Sequence, residues 1–257
     1  MVVAPGAMVI RKRSRTDAVK PTERDLAMLR GDEFRSSYRF SLGCSCQTDT
    51  RFDYILQRVA GKSVLHVGCA DHAELLEKKM RDGTWLHGCI SGVAARCLGV
   101  DVNEHAVAEL TTRYGCDNVA VLDMFSQDER LAGWWDYIVL GEVLEHMDDP
   151  VGFLRRLREA YAGRAGAVII TVPNAFFYKN FKLALRGCEV INTDHRYWFT
   201  PYTLAKVLTV AGFAVQDVRS TQDSSLKFMP NITWALLRHV PLLRSNVVAT
   251  AAFETGA

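Results

Sequence analysis

The chain has no uncharged apolar run of about 18 residues or more, so no stretch reads as a membrane-spanning helix. It also lacks an apolar segment of signal-peptide length behind its basic N-terminal residues, which argues against secretion. An excess of one charge is missing too. The 31 Lys and Arg nearly balance the 29 Asp and Glu, and a net +2 is too small to imply a nucleic-acid partner. The seven cysteines (44, 46, 69, 89, 97, 116 and 188) are odd in number and scattered. No CxxC pair faces another, and Cys44-Ser45-Cys46 has no second pair at zinc spacing. Free thiols in a reducing cytoplasm are the expectation. Internal repeats and low-complexity segments are likewise absent.

What is present fits one α/β domain. At 257 residues and 49% hydrophobic content the chain can bury a full core. Charge is uneven along it: residues 1–40 carry nine Lys/Arg against five Asp/Glu. The run Arg11-Lys12-Arg13-Ser14-Arg15 reads either as a solvated tail or as a phosphate-steering arm. The expected division is a basic, partly disordered N-terminal arm over 1–40 and one domain over 41–257.

Short apolar strands then alternate with helices. A helix over 52–59 leads into a strand over 63–67, and two helical segments follow at about 73–81 and 84–96. Strands over 97–100, 119–122, 137–140 and 167–172 come next, with helices over 104–114 and 151–162 between them. This alternation predicts a Rossmann-like doubly wound, mostly parallel sheet covered on both faces. In such sheets ligands bind beyond the carboxyl ends of the strands.

Polar residues cluster at those ends. Val64 to His72 reads VLHVGCADH, and Trp135 to Pro150 reads WDYIVLGEVLEHMDDP. The two together resemble the class I S-adenosylmethionine-dependent methyltransferases, in particular the small-molecule branch whose fourth strand runs into an EVLEH element. The resemblance implies that the turn at Gly68, Cys69 and Ala70 touches the methionine part of the cofactor. It departs from the family pattern at His66, which replaces the usual acidic residue, so a ligand contact and a buried structural histidine are both open there. Asp101, followed by Val102, stands where a carboxylate can accept both ribose hydroxyls; a plain helix cap is its alternative. The resemblance further places Asp123 at the adenine amino group and Met124 on the ring. Gly141 and Glu142 close the pocket. A nicotinamide oxidoreductase is disfavoured, because the third glycine of GxGxxG is missing.

Past the fifth strand an aromatic and basic insertion spans about 174–200. Its end, Asp194 to Phe213, resembles the "DHxxxF(S/T)" element of methyltransferases that act on sugars or polysaccharide precursors. Tyr178, Lys179, Arg196, Tyr197 and Trp198 are the candidate acceptor contacts, since aromatic faces suit a sugar ring and cations suit a phosphate. The competing reading is a helix whose aromatic side is core. For a hydroxyl acceptor the candidate proton acceptors are His195, then His146 and Glu142, with His195 oriented by Asp194 or another carboxylate. No metal site is expected, because Asp148-Asp149 reads as a cap for a helix opened by Pro150. The apolar tail, 232–253, reads as packing against the domain or a dimer mate, with peripheral membrane contact as the other reading. The expected function is methyl transfer to a hydroxyl of a sugar, glycan precursor or related natural product. A catalytically lapsed binding protein and an amine or macromolecular acceptor stand as alternatives.

Overall fold

In the computed structural model the described residues are 20–42, 50–71, 73–223, 233, 237 and 239–253. The basic run 11–15 and much of the tail segment before 239 lie outside them. Seven strands form one sheet: β1 (Ser63–Val67), β2 (Arg96–Asp101), β3 (Val119–Val121), β4 (Trp135–Gly141), β5 (Ala165–Pro173), β6 (Phe213–Thr221) and β7 (Asn246–Phe253). Their order is β3-β2-β1-β4-β5-β7-β6. The first five run parallel, and β7 lies antiparallel between β5 and β6. Chain order reverses between β1 and β4, so a crevice opens at that switch point.

The helices are α1 (Glu23–Arg30), α2 (Arg51–Val59), α3 (Ala73–Arg81), α4 (Leu86–Ser91), α5 (Glu104–Tyr114), α6 (Pro150–Tyr161), α7 (Tyr178–Ala184) and α8 (Pro201–Val210). Central strands are apolar on both faces because helices cover both. Ile138, Val168 and Ile170 pack with Leu154, Leu157, Leu204 and Leu208 on one side. Val64, Val139 and Ile169 pack with Tyr54, Ile55, Val59 and Ile90 on the other. Each such side chain taken fully from water contributes about 1.5–3 kcal/mol.

Two expectations need correction. Residue 40 is no fold boundary: α1 carries a complete capping box, Thr22 with Asp25, and its Leu29 is fully buried in the main core. The short 20–42 segment joins the domain through α8, where Lys206 Nζ donates to the Met28 carbonyl at 2.9 Å. The second helical segment is shorter than 84–96. Trp85 is extended and its indole donates to the Cys69 carbonyl at 3.0 Å, while residues 93–95 turn the chain into β2. The tail's end meets the expectation of packing against the domain: it forms β7, an interior strand with seven of its eight residues buried. No helix among the described residues is long and apolar enough to cross a membrane.

Candidate active site

The strand ends around the switch point enclose a cavity of about 630 Å³, the size of an ordinary small-ligand site. All nine residues expected to hold a cofactor line it: His66, Gly68, Cys69, Ala70, Asp101, Val102, Asp123, Met124 and Gly141. Glu142, His146 and His195 line it as well.

The turn after β1 is shaped by Gly68. Its φ is +70°, and a Cβ there would stand 2.6 Å from Val143 Cγ2. Only glycine fits that conformation at that spacing. One oxygen of Asp101 accepts the Ala70 N–H and the other accepts the Asn103 N–H, both at 3.0 Å. The carboxylate is thereby fixed at the cavity edge with lone pairs to spare. It is not the cap of α5; Asn103 fills that position, its side chain accepting from Ala106 N–H at 3.1 Å. Asp123 accepts from Phe125 N–H at 2.9 Å, which aims it at the far end of the same crevice. Met124 is buried beside it, its carbonyl taking the Tyr161 hydroxyl at 2.6 Å.

His66 is buried and stacks on His87, with ring centroids 5.4 Å apart and Nδ1 atoms 3.3 Å apart. Burial, then His87 and Arg51, hold its pKa well below the ordinary value, so the ring is neutral. A neutral imidazole at this wall can offer a hydrogen bond but not the charge of the acidic residue it replaces.

Arg51 is the functional candidate that sequence reasoning missed. It opens α2, is buried, lines the cavity, and pairs with Glu142 at 2.8 Å. Glu142 also accepts from Asn246 Nδ2 at 2.8 Å, and it is the only non-glycine among the described residues with positive φ, at 60°. Two partners holding a strained residue make Glu142 an anchored anion rather than a free proton acceptor. Arg51 brings a fixed cation to the cavity wall, a group of the kind that can hold a carboxylate. The signal available in the sequence was slight: an arginine following Thr50, at the start of a helix.

At the acceptor end, β4 passes through Glu142 into a 3-10 turn, Leu144–His146. That turn brings Glu145 and His146 to His195 of the insertion. Glu145 is fully buried, and neither carboxylate oxygen has a hydrogen-bond partner. Burial, reinforced by Glu142, pushes its pKa up to about 8. His195 Nε2 lies 3.9 Å from Glu145, and the rings of His195 and His146 meet edge to face at 4.7 Å. Burial and His146 lower the His195 pKa. The carboxylate facing His195 is therefore Glu145. Ligand atoms of Glu145, His146 and His195 all lie within 4.8 Å of one another, the spacing of a group that can hold a metal ion.

The five candidate acceptor contacts lie elsewhere: none of Tyr178, Lys179, Arg196, Tyr197 and Trp198 lines the cavity. Arg196 and Tyr197 instead fasten the insertion to the β4 turn. Arg196 bonds the carbonyls of His146 (2.7 Å) and Asp194 (3.2 Å) and the Asp148 carboxylate, and the Tyr197 hydroxyl donates to the Asp148 carbonyl at 2.9 Å. Trp198 donates to Glu189 at 2.6 Å. Tyr178 and Lys179 sit on α7, which buries none of its residues, so the reading of an aromatic core face fails for this helix, while Phe199 of the same insertion is buried in the main core. Asn192, Asp194 and His195 are what the insertion contributes to the cavity wall. Asp149 caps α6 through Gly152 N–H at 2.9 Å, as the Asp-Pro step predicts.

A family model described as a methyltransferase domain matches residues 45–218. No curated protein matches the chain. Among solved structures it is similar to a SAM-dependent methyltransferase from Archaeoglobus fulgidus, at 19% identity over 77% of this chain and 89% of that one, TM-score 0.44. It is similar to the small RNA methyltransferase HEN1, at 18% identity over 88% of this chain and 27% of that one, TM-score 0.50. A third is the magnesium protoporphyrin IX methyltransferase of Synechocystis with bound SAH, at 15% identity over 79% and 82%, TM-score 0.49. At these identities the likeness is one of fold. With the sheet order, the glycine turn and the carboxylates at the ends of β2 and β3, the family match settles the assignment: the chain belongs to the methyltransferase domain family and is an S-adenosylmethionine-dependent methyltransferase of the class I fold.

Proposed function

We propose that this enzyme methylates a hydroxyl of a small-molecule acceptor: a sugar, a glycan precursor or a related natural product. The observation that carries the reading is the Glu145–His146–His195 cluster at the acceptor end of the cavity. A neutral amine acceptor arrives with a lone pair and needs no such group. A hydroxyl must lose its proton, and a positioned acid–base group contributes about 10²–10⁴-fold to that step.

When bound, S-adenosylmethionine supplies an electrophilic methyl on a sulfonium. The chain's own residues do the rest by placement, which alone can supply about 7–11 kcal/mol. Asp101 fits the ribose, Asp123 and Met124 the adenine, and Arg51 the carboxylate. The acceptor oxygen then forms a C–O bond as the methyl–sulfur bond breaks. The electron pair stays on sulfur, and the hydroxyl proton is released at the cluster end of the cavity. The near-balanced charge speaks against a nucleic-acid acceptor. Cysteines 69, 89, 97, 116 and 188 are free thiols, which fits a cytoplasmic setting.

The test is incubation with methyl-labelled cofactor and a panel of sugars, nucleotide sugars, phenols, matched amines and RNA. Products are located by mass spectrometry and NMR. An O-methyl product from a hydroxyl acceptor supports the reading; label on nitrogen, on RNA, or on no acceptor in the panel refutes it.

A further inference from the structure

We propose that Glu145, His146 and His195 form a site for one divalent first-row metal ion, whose open positions face the acceptor. The inference rests on the hydroxyl-transfer reading only for the role of the ion, not for its binding.

Glu145 is at 0% exposure with both carboxylate oxygens unpartnered. Buried polar groups in folded proteins are almost always satisfied, and a buried carboxylate is paired or coordinates a metal. No described residue gives this one a hydrogen bond or brings a Lys or Arg within 4.0 Å of it; two imidazoles stand beside it, and Arg51, which acts on it from farther off, is paired with Glu142. His195 Nδ1 is likewise buried and unpartnered, while its Nε2 faces Glu145 at 3.9 Å. His146 Nδ1 lies 3.2 Å from the Asp194 carbonyl. A carbonyl only accepts, so a neutral ring in this contact carries its proton on Nδ1 and keeps the Nε2 lone pair for a ligand. Metal-binding histidines are oriented in this way, with the second ring nitrogen donating to a carbonyl.

The donors come from two parts of the chain, the adjacent Glu145 and His146 and the distant His195, and their meeting is reinforced. The Arg196 N–H donates to the Glu145 carbonyl at 2.8 Å, and its guanidinium bonds the carbonyls of both His146 and Asp194. Two imidazoles and one carboxylate suit Mn, Fe, Co, Ni or Zn better than Ca or Mg, and three protein ligands leave positions open. Those positions face the cavity, because His146 and His195 line its wall and Glu145 lies behind them. An acceptor hydroxyl on the ion would lose its proton to solvent at neutral pH, since metal binding lowers the pKa of a bound oxygen. His195 and His146 then serve as ligands rather than as the base.

The experiment uses the full chain, stripped with a chelator, freed of it, and titrated with MnCl2 alone. Free Mn2+ is followed by paramagnetic resonance, and CoCl2 provides a second probe through its visible absorption. The proposal expects one ion per chain, with affinity more than about tenfold weaker in Glu145→Gln and in His195→Ala. S-adenosylhomocysteine binding should persist in both variants, which shows that they fold. Wild-type protein that binds the homocysteine product but neither ion overturns the proposal, as do variants that bind the ions as tightly as wild type. Because no acceptor is present, ion binding is read independently of where the methyl goes. A nitrogen-methylated product would overturn the hydroxyl reading and leave the site standing.

Discussion

The two ends of the cavity are built differently. At the cofactor end, the groups that follow β1, β2 and β3 are fixed through backbone: Gly68 by its own φ, Asp101 by two N–H groups, Asp123 by one. At the acceptor end, side chains are fixed by other side chains or by carbonyls far off in sequence. Glu142 is held by Arg51 and Asn246, and the Glu145 turn by Arg196 and Tyr197. The cofactor end can therefore be dictated locally, whereas the acceptor end exists only once the chain has folded. That division suits a family in which the methyl donor is common and the acceptor differs.

The comparison breaks most sharply at Gly68. Valine there must hold φ near +70° and meet Val143 at 2.6 Å. A cost of about 3 kcal/mol lowers S-adenosylhomocysteine affinity about 100-fold or more in calorimetry. Glu145 and His195 are untouched by this change, so metal binding should survive it.

An effect of similar size but different origin is expected at low pH. Burial lowers the His87 pKa from 6.5 to about 4. The unfolded chain thus binds a proton between those values that the folded chain refuses, so stability is full above pH 6.5 and falls as pH drops toward 4. The loss approaches about 3 kcal/mol at pH 4. Urea unfolding across this window should show a slope that flattens in His87→Gln; an unchanged slope would assign the proton to another group, His66 first.

Arg51→Met sharpens the link between the two ends. It leaves Glu142 strained and without its cation, and lowers stability by about 1–2 kcal/mol, less than a fully buried pair because Glu142 is partly exposed. Glu142→Gln in the same chain should restore part of the loss, and a double-mutant cycle measures the coupling. Additive losses would mean that the pair does not hold the turn.

The smallest effect belongs to α7. It buries nothing, so Phe181→Ser and Lys182→Ala should each change stability by less than about 0.5 kcal/mol. A larger loss would show that α7 is packed in solution.

The same division explains what could be read beforehand. Strand–helix alternation disclosed β1 to β5 and α5 almost to the residue, because these are continuous apolar segments bounded by Gly, Asp or Asn. The nine positions expected on the cofactor side all line the cavity, since strand ends fix their place in a parallel sheet. The seventh strand escaped because NVVATAAF follows two prolines and looks like the end of an apolar tail; pairing between β5 and β6 is what makes it a strand. Arg196 and Tyr197 look like acceptor contacts in the sequence because cations and aromatics suit sugars. Their partners, Asp148 and the carbonyls of His146 and Asp194, are visible only in three dimensions. Glu145 was noticed only as part of a cluster, since burial without a partner is not a property of sequence.

The central claim, that the ends of β1 to β3 form the S-adenosylmethionine site, is tested most directly by calorimetric titration of S-adenosylhomocysteine into wild type and Asp101→Ala. If Asp101 accepts the two ribose hydroxyls as proposed, its removal should weaken binding about tenfold to 100-fold, with the fold intact by circular dichroism. Failure of the wild type to bind, or equal affinity in the variant, would contradict the account.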